Sequence, residues 1–290
     1  MRTPTGRRLF VAVAVAACVL MLGVPSSLWL RSFGRPEPVV TMPPETRSVG
    51  RVLFVMAHSD DEFGIMGRML QLRDLDAEIW CVWTACGQGR AREARNAMRE
   101  IGVSEDRLRF LSLGGLGDVA SLRRNIAALR EMLSARPFDE VYVPAYEGGH
   151  YQHDLTHFAA LQAVREVSPG APVFEYPLYN LAGGRVNPFR LIPLPGPVCG
   201  LDLSRQQVNL IRGSTRHYPS QRRLMTGFKY LMPSARQCRP RWRPVPAWDY
   251  SKPPHRGLLW HDLNPRTRRR PYREAVTAVI GQYRVEAGTD

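Results

Sequence analysis

The chain has 290 residues, 44% of them hydrophobic and 23% charged, which is enough apolar material for one large α/β domain or a medium domain with extensions. That balance excludes a disordered chain, and no internal repeat is visible. The net charge of +14 is concentrated between Arg205 and Arg273, where fifteen Arg and two Lys face only Asp249 and Asp262. Such a stretch suits an anionic membrane surface, an acidic glycan or plain solvation. No recognised nucleic-acid-binding motif accompanies it, so no nucleic-acid partner is expected.

Arg2, Arg7 and Arg8 precede an apolar run from Leu9 to Val24, extended through Pro25-Ser26-Ser27 to Leu28-Trp29-Leu30. At about 1.5 Å per residue, Leu9 to Leu30 covers a hydrocarbon core of about 30 Å. The basic flank predicts a single-pass membrane anchor over residues 1–30, with the domain outside the cytoplasm. A signal peptide cut near Val24-Pro25-Ser26, giving a secreted protein, is the competing reading. Residues 31–50, with Pro36, Pro38, Pro43 and Pro44, read as an extended linker. The domain occupies 51–290, with a core over 51–179 and a loop-rich basic part over 180–290.

Arg51 to Ala57 is a near-continuous apolar run of strand length, the pattern of a buried parallel strand. A helical pattern follows from Glu62 to Leu75, then a strand over Glu78–Thr84 and a helix over Arg92–Ile101 ended by Gly102. Next come a strand over Arg107–Leu113, a helix over Ser121–Leu133 and a strand over Glu140–Pro144. Leu155–Val167 reads as helix and Val173–Tyr176 as a short strand. Alternating strands and helices predict a doubly wound, mostly parallel α/β sheet. From Asn180 to Pro271 periodicity fades into loop-rich walls, and a last helix is expected over Tyr272–Tyr283. None of Cys81, Cys86, Cys199 and Cys238 has the spacing of a structural zinc site. An exported domain could pair Cys199 with Cys238.

Ligands in such sheets bind beyond the carboxyl ends of the strands. Two polar clusters fall there: His58-Ser59-Asp60-Asp61-Glu62 after the first strand, and His150-Tyr151-Gln152-His153-Asp154-Leu155-Thr156-His157 after the fourth. Catalytic zinc takes three protein ligands from imidazole nitrogen and carboxylate oxygen and keeps a position open for water. His58, Asp61 and His153 could supply them, leaving Asp60 to take a proton. Two blander readings compete. Ser59 with Glu62 three residues later fits a helix capping box, and His153 with His157 could share one helix face as a separate ligand pair.

Ala57-His58-Ser59-Asp60-Asp61-Glu62 resembles the Ala-His-Pro-Asp-Asp-Glu signature of the PIG-L/LmbE-like zinc N-deacetylases. Gly148-Gly149-His150-Tyr151-Gln152-His153-Asp154 is similar to that family's Gly-Gly-His-Pro-Asp-His-Asp segment. Between them, Thr84 to Arg90, Arg92-Glu93 and Ile101-Gly102-Val103 resemble its glycine loop and Arg-Glu helix, and the likeness reaches loosely to Tyr218-Pro219-Ser220-Gln221.

The resemblance implies a Rossmann-like fold and a zinc (Zn2+) or other divalent-metal hydrolase that removes acetyl from an N-acetylglucosamine-type conjugate. It further implies His58, Asp61 and His153 as metal ligands and Asp60 as general base. His150 would stabilise the oxyanion or protonate the amine, and Arg92 would contact substrate. Ser59 replaces the family's proline, and Tyr151-Gln152 replaces Pro-Asp. The lost aspartate would have favoured a charged His150, so this histidine is expected to be less often protonated. Two other classes compete. One is a membrane-tethered glycan-binding protein of the same fold without catalysis. The other is a dinucleotide-binding oxidoreductase, suggested by Gly115-Leu116-Gly117-Asp118-Val119-Ala120, for which a tight turn is the simpler explanation.

Overall fold

The computed structural model describes residues 40–41, 50–111, 115–231, 239–265 and 267–288. The expected anchor over 1–30, and Cys238 with its expected partnership to Cys199, lie outside the described residues. Among the described residues no helix is long and apolar enough to cross a membrane. The strands are β1 (Val40–Thr41), β2 (Arg51–Met56), β3 (Glu78–Trp83), β4 (Leu108–Phe110), β5 (Glu140–Pro144), β6 (Val173–Tyr176), β7 (Tyr179–Asn180), β8 (Asn187–Pro188), β9 (Cys199–Gly200) and β10 (Arg241–Pro244). The helices are α1 (Met66–Asp74), α2 (Gln88–Glu100), α3 (Val119–Ala135), α4 (Tyr151–Val167), α5 (Arg205–Ser214), α6 (Arg222–Leu231), α7 (Trp260–Leu263) and α8 (Ala278–Ala287).

The large sheet has the order β1-β9-β10-β6-β5-β2-β3-β4. Strands β2 to β6 are mutually parallel, as the continuous apolar runs predict. From β2 the chain builds outward through β3 to β4, then returns to add β5 and β6 on the other side. Alternate residues of β2 enter opposite cores. Val52, Phe54 and Met56 pack with α1, α2 and α5, whereas Leu53 and Val55 pack with α3, α4 and α8. Both faces are thereby covered, each fully buried Val, Leu or Phe contributing about 1.5–3 kcal/mol.

Two expectations need correction. The helix expected over Glu62–Leu75 is broken, with a 3-10 turn over Asp61–Gly64 and α1 starting at Met66. The stretch from Asn180 to Pro271 is more than walls of loop. Its strand β10 pairs antiparallel with β6 and β9 and extends the sheet, and α5 carries a capping box between Ser204 and Gln207. Arg243 on β10 is buried against Glu175 of β6, its Nε 2.8 Å from Glu175 Oε1. Polar residues that pair inside the protein give no apolar periodicity to read.

Candidate active site

The order of the sheet explains why the two polar clusters meet. Strands β2 and β5 are neighbours, and the direction of sheet growth reverses between them, so the loops leaving their carboxyl ends flank one crevice. His58 leaves β2, while His150 forms the N-cap of α4 after β5 and places His153 in that helix's first turn. The β5 loop is tied down from below. Asp154 accepts the backbone N–H groups of Glu147 and Gly148 at 2.9 and 3.0 Å, and the Tyr272 hydroxyl donates to it at 2.7 Å. Glu147 accepts from the backbone of Leu178 and Tyr179, at 2.8 and 2.7 Å. Gly149 cannot be replaced there without overlap, because a Cβ would strike the Tyr179 carbonyl oxygen.

In the crevice His58 Nδ1 lies 3.1 Å from His153 Nε2, which lies 3.2 Å from Asp61 Oδ1. Gln152 Oε1 meets the other His58 nitrogen, Nε2, at 2.7 Å. An amide oxygen can only accept, so that nitrogen carries the hydrogen and the Nδ1 lone pair faces His153. The ring nitrogens of His58, His150 and His153 come within 4.8 Å of one another. Asp61 is buried, and its Oδ2 accepts the N–H groups of Ala57 and His58 at 3.0 and 2.7 Å. Burial opposes its charge, but His153, His58 and these donors prevail and hold the carboxyl well below its ordinary range. Burial pushes His58 down to about 4 and His150 well below 6.5, whereas for His153 the adjacent Asp61 outweighs burial and raises it.

This donor set fits a divalent metal. In a tetrahedral site with bonds of about 2.0–2.1 Å, ligand atoms lie about 3.3 Å apart. The His58–His153 and His153–Asp61 separations match that edge. His153 Nε2 lies between the His58 Nδ1 lone pair and the Asp61 carboxylate, so an ion bound by all three would replace a hydrogen that His153 shares with them. The described residues thus form a His-His-Asp site able to bind metal, with His150 beside it.

Asp60 lies next to these ligands in a left-handed backbone conformation, φ 109°, which costs a non-glycine residue about 1–3 kcal/mol. Neighbours from its own turn and from α2 hold it. Its N–H donates to Glu62 Oε2 at 2.8 Å, and its carboxylate accepts from Arg90 Nη2 at 2.8 Å. Arg90 also donates to the Ser59 carbonyl, and the Tyr218 hydroxyl donates to Glu62 Oε1. Burial raises the Asp60 carboxyl well above its ordinary value, and Arg90 draws it back down.

His58, Asp60, Asp61, His150 and His153 are brought together. Arg92 is not, because it points outward from α2 and is exposed. Arg90 occupies the site in its stead. Residues two apart on a helix face nearly opposite ways, and Arg90 falls four residues before Ala94 on the buried face of α2. That phase was the available signal. The capping-box alternative fails, since the turn after Asp60 has no side-chain cap and Ser59 Oγ has no hydrogen-bond partner. A shared ligand pair of His153 and His157 fails too, because His157 is committed to Pro144 O at 2.7 Å and the Tyr250 hydroxyl at 2.9 Å. Gly115 to Ala120 is a turn whose Asp118 caps α3 reciprocally with Ser121, as the tight-turn reading expects.

Residues 53–164 match the family model described as PIG-L: GlcNAc-PI de-N-acetylase. No curated protein matches the sequence. Among solved structures the chain is similar to a triple mutant of the deacetylase of the teicoplanin biosynthetic pathway, with 16% identity, 69% of this chain and 99% of that one covered, and a TM-score of 0.52. It is similar to the zinc-inhibited form of teicoplanin deacetylase Orf2, with 16% identity, 68% and 100% covered, and a TM-score of 0.51. It is also similar to the conserved protein TT1542 from Thermus thermophilus, with 17% identity, 71% and 99% covered, and a TM-score of 0.50. The sheet order and the convergent side chains define an α/β fold with a His-His-Asp site able to bind a metal. Over residues 53–164 the chain resembles the PIG-L family, and its fold is that of these deacetylase structures.

Proposed function

We propose that this protein is a zinc-dependent hydrolase that removes the N-acetyl group from an N-acetylglucosamine-type sugar conjugate. The observation that carries the reading is the meeting of His58 Nδ1, His153 Nε2 and Asp61 Oδ1 at 3.1 and 3.2 Å, with the Arg90-held Asp60 alongside. These residues would hold the ion, and imidazole nitrogen with carboxylate oxygen is a zinc-type donor set. Once bound, such an ion acts as a Lewis acid on the amide carbonyl and makes water more acidic.

The remaining work falls to the protein. Asp60 takes a proton from the attacking water, and the Arg90 guanidinium keeps its carboxylate in place and ionisable. His150, neutral in the free site, donates its remaining ring N–H to the oxygen of the former carbonyl as charge develops, and the proton that Asp60 took from water passes to the leaving nitrogen. The C–N bond breaks, acetate leaves and the amino sugar is released.

Acetate release should be measured from a panel of N-acetylglucosamine conjugates, with chelator and then with graded zinc. Chelator-sensitive release restored by zinc is the expected result. Sugar binding with no acetate release under any metal would favour the binding-only reading instead.

A further inference from the structure

A third loop reaches the crevice. Strand β6 lies beside β5 in the sheet, so the residues beyond its carboxyl end border the same opening. Tyr179 follows there on β7, paired with Pro188 of β8. Its ring stands edge-on to His153, centroids 5.5 Å apart, and packs tilted against Trp260 at 5.3 Å. His150 abuts the same His153 ring at 5.2 Å. Tyr151 in turn stacks on His150 at 4.8 Å and borders a cavity of about 180 Å³ walled mainly by His261, Thr267, Arg269, Arg270 and Ala275.

The Tyr179 ring is fixed from several directions. Its backbone N–H donates to the buried Glu147 at 2.7 Å, and the Asn180 amide donates to the same carboxylate at 3.2 Å. A Cβ on Gly149 would come within 3.0 Å of two ring carbons and overlap the Tyr179 carbonyl oxygen, so the ring rests directly on that glycine. The hydroxyl, by contrast, has no hydrogen-bond partner among the described residues. The residue is partly exposed and the hydroxyl is not enclosed, so it opens into the crevice.

The nearby carboxylates are engaged elsewhere. Asp61 accepts the Ala57 and His58 N–H groups, and Asp60 accepts Arg90. A phenol is a neutral donor at neutral pH. Burial, then the Asp61 and Asp60 carboxylates, push this one further above its ordinary value. A donor held still, with no acceptor in the protein, suits an oxygen on which charge develops, because no reorganisation is needed when it does.

We infer that the Tyr179 hydroxyl is a second donor to the acyl oxygen of the substrate, sharing with His150 the charge that builds there. The inference rests on the deacetylase reading for the identity of that oxygen. The hydroxyl keeps its own hydrogen throughout, and its hydrogen bond strengthens as the oxygen becomes anionic.

Tyr179→Phe keeps the ring and removes only the donor. With an N-acetylglucosamine conjugate that zinc-loaded wild type hydrolyses, kcat and kcat/KM should fall together by about 10²-fold, the usual worth of one oxyanion donor. Zinc content and melting temperature should stay at wild-type values. An unchanged rate, or a rate that falls only along with melting temperature or zinc content, would overturn the assignment. So would a raised KM at constant kcat, which marks a contact made equally in the ground state. Binding supplies a readout without turnover. N-methylphosphonyl glucosamine presents a tetrahedral anionic centre in place of the flat acetamide. By calorimetry, its affinity for zinc-loaded protein should be about 10²-fold weaker in Tyr179→Phe, with N-acetylglucosamine binding unaltered. Weakened analogue binding in the variant, with no acetate released by wild type from any conjugate, would sink the hydrolytic reading and keep the donor. Equal analogue affinity in the two proteins would sink the donor alone.

Discussion

Gln152 and His58 are joined across the crevice, the amide oxygen of one 2.7 Å from Nε2 of the other. The amide therefore fixes which His58 nitrogen is left for a metal, the part that a carboxylate or carbonyl often plays behind a ligand histidine. Gln152→Ala should weaken zinc binding by about 10–100-fold, and Gln152→Glu should retain most of it. Calorimetric titration of metal-free protein checks this without reference to turnover. Equal zinc affinity in Gln152→Ala and wild type would remove the orienting role.

The two adjacent aspartates make different demands. Asp61 should hold the metal, so Asp61→Ala loses bound zinc and acetate release together, as do His58→Ala and His153→Ala. Asp60→Ala should keep its zinc while kcat falls by about 10²–10⁴. Metal content and turnover on the same purified variants decide the matter, and the reverse pattern exchanges the two roles.

Tyr218 reaches Asp60 only through Glu62, whose other oxygen accepts the Asp60 N–H. Removing the hydroxyl in Tyr218→Phe should lower kcat by about tenfold with little change in KM or zinc content, because the base loses its alignment and nothing that touches substrate is removed. The buried Glu62 also loses a hydrogen bond, so a stability loss of about 1–3 kcal/mol is expected by denaturant titration. A KM effect alone would place Tyr218 on the substrate.

Gly149→Ala tests the anchoring of the β5 loop. Its Cβ would overlap the Tyr179 carbonyl oxygen and press on the tyrosine ring, contacts that cannot yield without moving backbone. Expected is a loss of about 1–3 kcal/mol, the usual cost of overpacking, with weaker zinc binding because His150 and His153 follow directly. Unchanged melting and metal affinity would mean that the loop is looser than described.

His157 gives the fold a pH dependence of its own. Burial pushes its imidazole down to about 3 from 6.5, outweighing the hydrogen bond to Pro144. Between those values the unfolded chain binds a proton that the folded chain refuses, so stability rises with pH across that window. The contribution is complete above about 6.5 and is lost as pH falls toward 3. Melting temperatures at about pH 7.5 and about pH 5 should differ more for wild type than for His157→Asn. An identical pH slope in both would contradict the assignment.

Most of the site was legible because its chemistry sits at strand ends. The apolar runs of β2 and β5 located the strands, and His58 and His150 marked the polar residues that follow them. What stayed hidden depends on partners distant in sequence. Arg90 and Arg92 are nearly equivalent as letters, and only the phase of α2 separates them. Tyr218 meets Glu62 across 156 positions, and no local pattern announces such a pairing. The basic segment hid β10 because Arg241 and Arg243 alternate with Trp242 in an order that reads as surface, although Arg243 is buried on Glu175.

The proposed metal ligands follow two strands that touch, whereas the cavity beside them takes most of its wall from a segment more than a hundred residues further along the chain. Inheritance can treat the two separately. Lengthening, shortening or recharging the stretch after Trp260 reshapes that cavity wall and leaves the register of β2 on β5 untouched. A graft of that stretch from a paralogue would therefore be expected to move substrate preference as a single cassette, with the hydrolytic machinery carried unaltered on the sheet.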